Sequence, residues 1–143
     1  MNIQDLADRC NVVEECYEFM LAYAAQGLSR DSGSGSGQEL RQLLRRAVDA
    51  LSGFANAYKA FITQGGLQPA DKHAAFLAVL ERDAAAALAA MELVLAQPAI
   101  SSQLIDNLNA SIHLRALLTD LFLIDEITKL QRAASGQAIS TNP

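Results

Sequence analysis

Apolar side chains recur along most of this chain at alternating three- and four-residue steps, the spacing of an amphipathic helix. Leu6, Cys10, Val13, Tyr17, Met20 and Ala24 form one such stripe. Asp5, Asp8, Glu14, Glu15 and Glu18 supply its wet side and predict a first helix over residues 3–28. Leu40, Leu44, Ala47, Leu51, Phe54, Tyr58 and Phe61 form the seam of a second helix over 37–63, ended by Gly65-Gly66. Gly53 lies inside it at a cost of about 1 kcal/mol relative to Ala, which a close helix crossing would explain. Pro69 suits the first turn of a third helix over 69–96, rich in Ala and Leu. A fourth helix over 101–134 follows, with Ser101 or Ser102 as its cap.

The segments between these stretches carry no apolar period. Residues 29–36, within SRDSGSGSG, read as a flexible Ser/Gly loop. Ser36 and Glu39 match the S-x-x-E capping box at the start of the second helix. Residues 135–143 read as a disordered tail. The pattern therefore predicts an all-α single domain, an antiparallel up-down-up-down four-helix bundle over residues 1–134.

The fourth helix changes character along its length. Leu104, Ile105, Leu108, Ile112 and Ala116 lie on one side, but Leu117, Leu118, Leu121, Phe122, Leu123, Ile124 and Ile127 point nearly all round. A helix that is apolar all round requires burial all round. A four-helix monomer covers one side of each helix, so Leu117, Leu118, Leu121, Phe122 and Ile124 are expected to form an interface with a second copy or another protein.

Composition narrows this picture. The chain has 143 residues, enough for one sizeable core, and its 11 basic and 16 acidic residues give a net charge of −5, which disfavours nucleic acid. Arg41, Arg45 and Arg46 form its one basic cluster and read as a solvated face near Asp49. No apolar run reaches the roughly 18 residues of a membrane span. The polar start, MNIQDLADRCN, lacks a secretory apolar core, so the expected location is cytoplasmic. Cys10 and Cys16 fall in one helix about 9 Å apart along its axis. That distance is too great for a disulfide, and they read as small buried apolar residues.

Candidate chemistry is sparse. A di-iron carboxylate bundle uses Glu-x-x-His pairs, but Ala occupies the position three before both His73 and His113. Asp106, His113 and Asp120 follow one another at seven-residue steps and are the weak metal candidates, otherwise a solvent-facing stripe. No nucleophile motif is present, and no cofactor is implied. The expectation is a non-enzymatic interaction protein, such as an adaptor, assembly or regulatory subunit, acting as a homodimer. The alternative is a small-molecule- or metal-binding bundle, an enzyme included, with its pocket near Phe19, Tyr23, Tyr58, Phe61 and Phe122.

Overall fold

The computed structural model describes residues 3–140, of which residues 132 and 135–140 are described as backbone only. The described residues form helices and no strand. In chain order they are α1 (Ile3–Ala25), α2 (Gly35–Ser52), α3 (Phe54–Thr63), α4 (Ala70–Leu95), α5 (Ser102–Ala110) and α6 (Ile112–Ser140). The helix expected over 37–63 is divided at Gly53, and the helix expected over 101–134 is divided at Ser111. The apolar seam runs through both breaks, with Leu51 and Phe54 buried across one and Leu108 and Leu114 across the other. Periodicity alone therefore does not register them. α6 continues to Ser140, beyond the end expected at 134, and residues 141–143 of the expected tail lie outside the described residues.

Each break has a local cause. At Gly53 the guanidinium of Arg9, from α1, sits against the backbone and donates from Nη1 to the Ala50 carbonyl at 2.9 Å. A Cβ at Gly53 would lie 2.7 Å from that same Nη1, so a side chain there would displace the arginine. The close approach anticipated at Gly53 is thus an arginine, supplying a donor to a terminal carbonyl of α2. At Ser111 the backbone turns extended, with ψ of 136°. Its hydroxyl accepts from the Leu114 amide at 3.2 Å and so caps α6. Ser101 caps α5 in the same way, from the Leu104 amide at 3.0 Å.

The cap of α2 is Ser34, accepting from the Gly37 amide at 2.9 Å, not the Ser36–Glu39 box. The reason lies in the preceding loop. Gly37 packs so tightly on Asp31 that a Cβ would fall 2.0 Å from the Asp31 carbonyl oxygen. The Ser34 hydroxyl, which also donates to the Asp31 carbonyl at 3.2 Å, is held by this contact at the Gly37 amide. Asp31 itself is buried. Its carboxylate accepts from the Ile100 amide at 2.7 Å and pairs with the Arg41 guanidinium. Arg41 also donates to the Leu95 carbonyl at 3.2 Å and the Gln97 carbonyl at 2.9 Å. One residue of the expected basic surface cluster is thereby drawn into the interior. Ser102 joins the same end, donating to the Tyr23 carbonyl at 2.7 Å and accepting from the Leu28 amide at 2.9 Å.

The core lies between these helices. α1 packs against α2, α5 and α6, while α4 packs against α2, α3 and α6. Leu6, Cys10, Met20 and Tyr23 of α1 meet Leu40, Leu44 and Leu51 of α2, Leu80 and Met91 of α4, and the buried face of α6. Full burial of each such leucine or methionine stabilises by about 1.5–3 kcal/mol. Cys10 and Cys16 are buried as expected, and burial pushes both thiols up to about 12, so neither is a nucleophile at neutral pH.

The expected interface on the fourth helix requires correction. Leu117, Leu118, Leu121 and Ile124 are all buried within the chain's own core. α6 has α1, α4 and α5 against it, so it is enclosed over a wider arc than a helix covered on one side. Of the five interface residues only Phe122, 44% exposed, faces solvent.

The Asp31–Arg41 pair yields a stability prediction. Arg41→Ala leaves a buried carboxylate with one amide donor and is expected to lower unfolding free energy by about 2–3 kcal/mol in urea denaturation. Arg41→Lys, which keeps the charge but loses the fork to Leu95 and Gln97, is expected to recover only part of that loss.

Candidate functional site

Two hollows border a buried polar residue that keeps an atom without a hydrogen-bond partner among the described residues, unlike the hollows beside Asp31 and Ser102. The first is a cleft of about 270 Å³ where α3, the start of α4 and the middle of α6 meet. Its walls are apolar: Phe76 from α4 and Leu123, Ile124 and Ile127 from α6. Lys72 and Gln68 line it as well, with Lys72 exposed. Gln131 of α6 donates to the Gln68 carbonyl at 2.8 Å, tying the α3–α4 turn to α6 beside the cleft.

The polar groups of this cleft are Tyr58 and His73. Tyr58 is fully enclosed and His73 is 7% exposed. The phenol is hydrogen bonded to His73 Nδ1, and the rings lie 5.7 Å apart at 58°. Burial pushes the Tyr58 phenol up to about 12, so it keeps its proton at neutral pH. That proton has no other acceptor among the described residues. With the imidazole neutral, the economical arrangement is for Tyr58 to donate to Nδ1, which leaves the ring proton on Nε2. His73 lines the cleft, and its Nε2 has no hydrogen-bond partner among the described residues. The cleft is therefore a mostly apolar slot lined by a histidine whose second nitrogen lacks a partner among the described residues, with the Gln68 amide and the Lys72 ammonium beside it.

Sequence reasoning did not assemble this pair. Tyr58 reads as core with its hydroxyl at the rim, and His73 as a histidine without a glutamate partner. They are 15 residues apart on different helices, at no motif spacing. Of the aromatic residues expected to surround a pocket, Tyr58 lines the cleft. Tyr23 is instead buried at the other end, donating to the Ile100 carbonyl at 2.7 Å. Phe19 and Phe61 pack on the core as half-buried residues, and Phe122 faces solvent.

The second place involves one of the weak metal candidates. The break at Ser111 puts Asp106 on α5 and leaves His113 and Asp120 on α6, so the seven-residue stack is not continuous. Asp106 and His113 are exposed. Asp120 is 7% exposed and faces Asp83 of α4. No group of three or more His, Cys, Asp or Glu residues suited to a metal ion occurs among the described residues. Burial, and then the adjoining Asp83 carboxyl, push Asp120 up to about 7, so the two carboxyls share a proton below that pH. The Asp120 Oδ2 atom has no hydrogen-bond partner among the described residues, and Asp120 borders a shallow hollow with Arg115 and Thr119.

The Asp83–Asp120 pair makes stability depend on pH in a definite direction. The folded state holds a proton on Asp120 that the unfolded chain, with an ordinary value of 3.8, releases earlier. The stabilisation is complete below about 3.8 and is lost as pH rises to about 7. Asp120→Asn keeps a donor toward Asp83 at every pH. Its melting temperature is expected to exceed that of the wild type at pH 8 and to vary less between pH 5 and 8, read by circular dichroism.

Comparison of the chain with protein-family models, with curated proteins and with solved structures returns no significant match.

Proposed function

We propose that this chain is a binding module whose cleft between α3, α4 and α6 takes a small, largely apolar molecule. The observation that carries this reading is the Tyr58–His73 pair: an enclosed phenol holds the ring of a histidine whose second nitrogen has no partner among the described residues, within walls of Phe, Leu and Ile. Small-molecule sites are mostly apolar with a few fixed polar groups, and this cleft has that composition. Its volume of about 270 Å³ lies near the lower end of ligand pockets, which suits a small ligand.

The reading includes an arrangement for the helices. α1, α2 with α3, α4, and α5 with α6 act as four legs of an antiparallel up-down-up-down bundle. Cross-contacts support it: three join residues near one end of a leg to the facing end of another, and Arg9 meets the middle of the second leg. Arg9 meets Ala50, Arg41 meets Leu95, Tyr58 meets His73, and Tyr23 meets Ile100 just before α5.

Self-association is a second reading, now on a smaller surface than the sequence implied. Phe122, Leu123 and Leu130 are 44%, 49% and 62% exposed and share the outer face of α6. Leu123 belongs to both this face and the cleft wall. Sedimentation equilibrium at micromolar concentration tests it: a dimer weakened by Phe122→Ser and Leu130→Ser supports it, and a strict monomer removes it.

Methyl-detected NMR with a panel of small aromatic and alkyl probes tests the binding reading. Saturable shifts at Ile124 and Ile127 are expected. Leu123→Trp, a change at a half-exposed position that fills the cleft, should abolish them. Absence of any saturable shift at millimolar probe would overturn the reading.

A further inference from the structure

Resting on the binding reading above, we propose that the cleft selects a small monocarboxylate with an apolar body, held through His73 Nε2–H and Lys72. The hydrogen-bond arithmetic of the Tyr58–His73 pair points this way. Tyr58 has one proton to give, and its partner among the described residues is His73 Nδ1. With Tyr58 donating to Nδ1, a proton on the ring lies on Nε2, so the complementary ligand atom is an acceptor. An ammonium finds no carboxylate in the lining and meets the like charge of Lys72.

Charge sharpens acceptor to carboxylate. Lys72 is adjacent in sequence to His73 and lines the same cleft with its exposed side chain. Both residues belong to the first turn of α4, whose cap at Pro69 provides no side-chain hydrogen bond. The positive end of a 26-residue helix therefore lies beside them. Asp71 in that turn is exposed and does not line the cleft. An anion at His73 Nε2 would thus meet a donor, an ammonium and a helix dipole of one sign. Apart from the Gln68 amide at the α3–α4 turn, the rest of the slot is Pro69, Phe76, Leu123, Ile124 and Ile127, which fits an alkyl or aryl body. Lys72 is the one lysine or arginine in the lining, so the second carboxylate of a dicarboxylate has no counter-charge of its own there.

Titration of the full chain by calorimetry at pH 7 with octanoate, 1-octanol and octylamine separates this assignment from the broader reading. Octanoate is expected to bind at least about five-fold more tightly than octanol, the gain of a rim ion pair plus a charged hydrogen bond, and octylamine weakest of the three. Lys72→Met, at an exposed position that does not endanger folding, should narrow the preference of octanoate over octanol to what the His73 hydrogen bond supplies. His73→Phe should abolish octanoate binding while the far-ultraviolet circular dichroism stays helical. Octanol or octylamine binding as tightly as octanoate, or an octanoate affinity indifferent to Lys72→Met, would overturn the carboxylate assignment and leave the apolar cleft standing. Absence of binding by all three would overturn both.

Discussion

A buried carboxylate sets the terms for one end of this molecule. Asp31 sits in the loop between α1 and α2, and an ionised group there is tolerable only if its charge is matched and its oxygens are hydrogen bonded. The Arg41 guanidinium does most of this and holds the Asp31 carboxyl below its ordinary range against the opposing effect of burial, with the Ile100 amide adding to it. Because Arg41 also reaches the Leu95 and Gln97 carbonyls, one ion pair joins the first loop, the start of α2 and the α4–α5 connection. Gly37 and Ser34 follow from it, one by leaving room for the Asp31 backbone and the other by capping the helix at the required place. Tyr23 and Ser102 complete the seal.

The opposite end is held differently. There the ties are the exposed Gln68–Gln131 contacts and the Tyr58–His73 pair, and between them lies the cleft. Exposed hydrogen bonds protect less against local opening than buried ones, so the Gln68–Gln131 tie opens more readily than the buried bonds around Asp31. Asp120 stands one helical turn before Ile124, about 6 Å along the axis. The α4–α6 contact that carries the proton-sharing carboxyls is thus also the one that forms the cleft wall.

How much of this was legible in the sequence depended on the range of the interaction. Helical seams are local, and Leu6 to Ala24 or Leu40 to Phe61 announced them by spacing alone. The breaks at Gly53 and Ser111 were hidden because the seam continues across them, and their causes, Arg9 in one case and a serine cap in the other, concern direction and not polarity. SRDSGSGSG resembled a linker by composition, yet its Asp31 pairs with Arg41, accepts from the Ile100 amide and packs its backbone on Gly37. The apolar girdle of α6 was read correctly as needing burial, but the chain itself supplies it for Leu117, Leu118, Leu121 and Ile124. The cleft was illegible because Tyr58 and His73 meet only through the packing of α3 on α4.

The functional account turns on one proton, the one carried by His73. Long-range ¹H–¹⁵N spectroscopy of the imidazole rings at neutral pH observes it directly, with exposed His113 as an internal reference for an unconstrained ring. The account predicts His73 fixed with Nε2 protonated and Nδ1 bare, accepting from Tyr58. A ring protonated at Nδ1, or one averaging between tautomers, would contradict it.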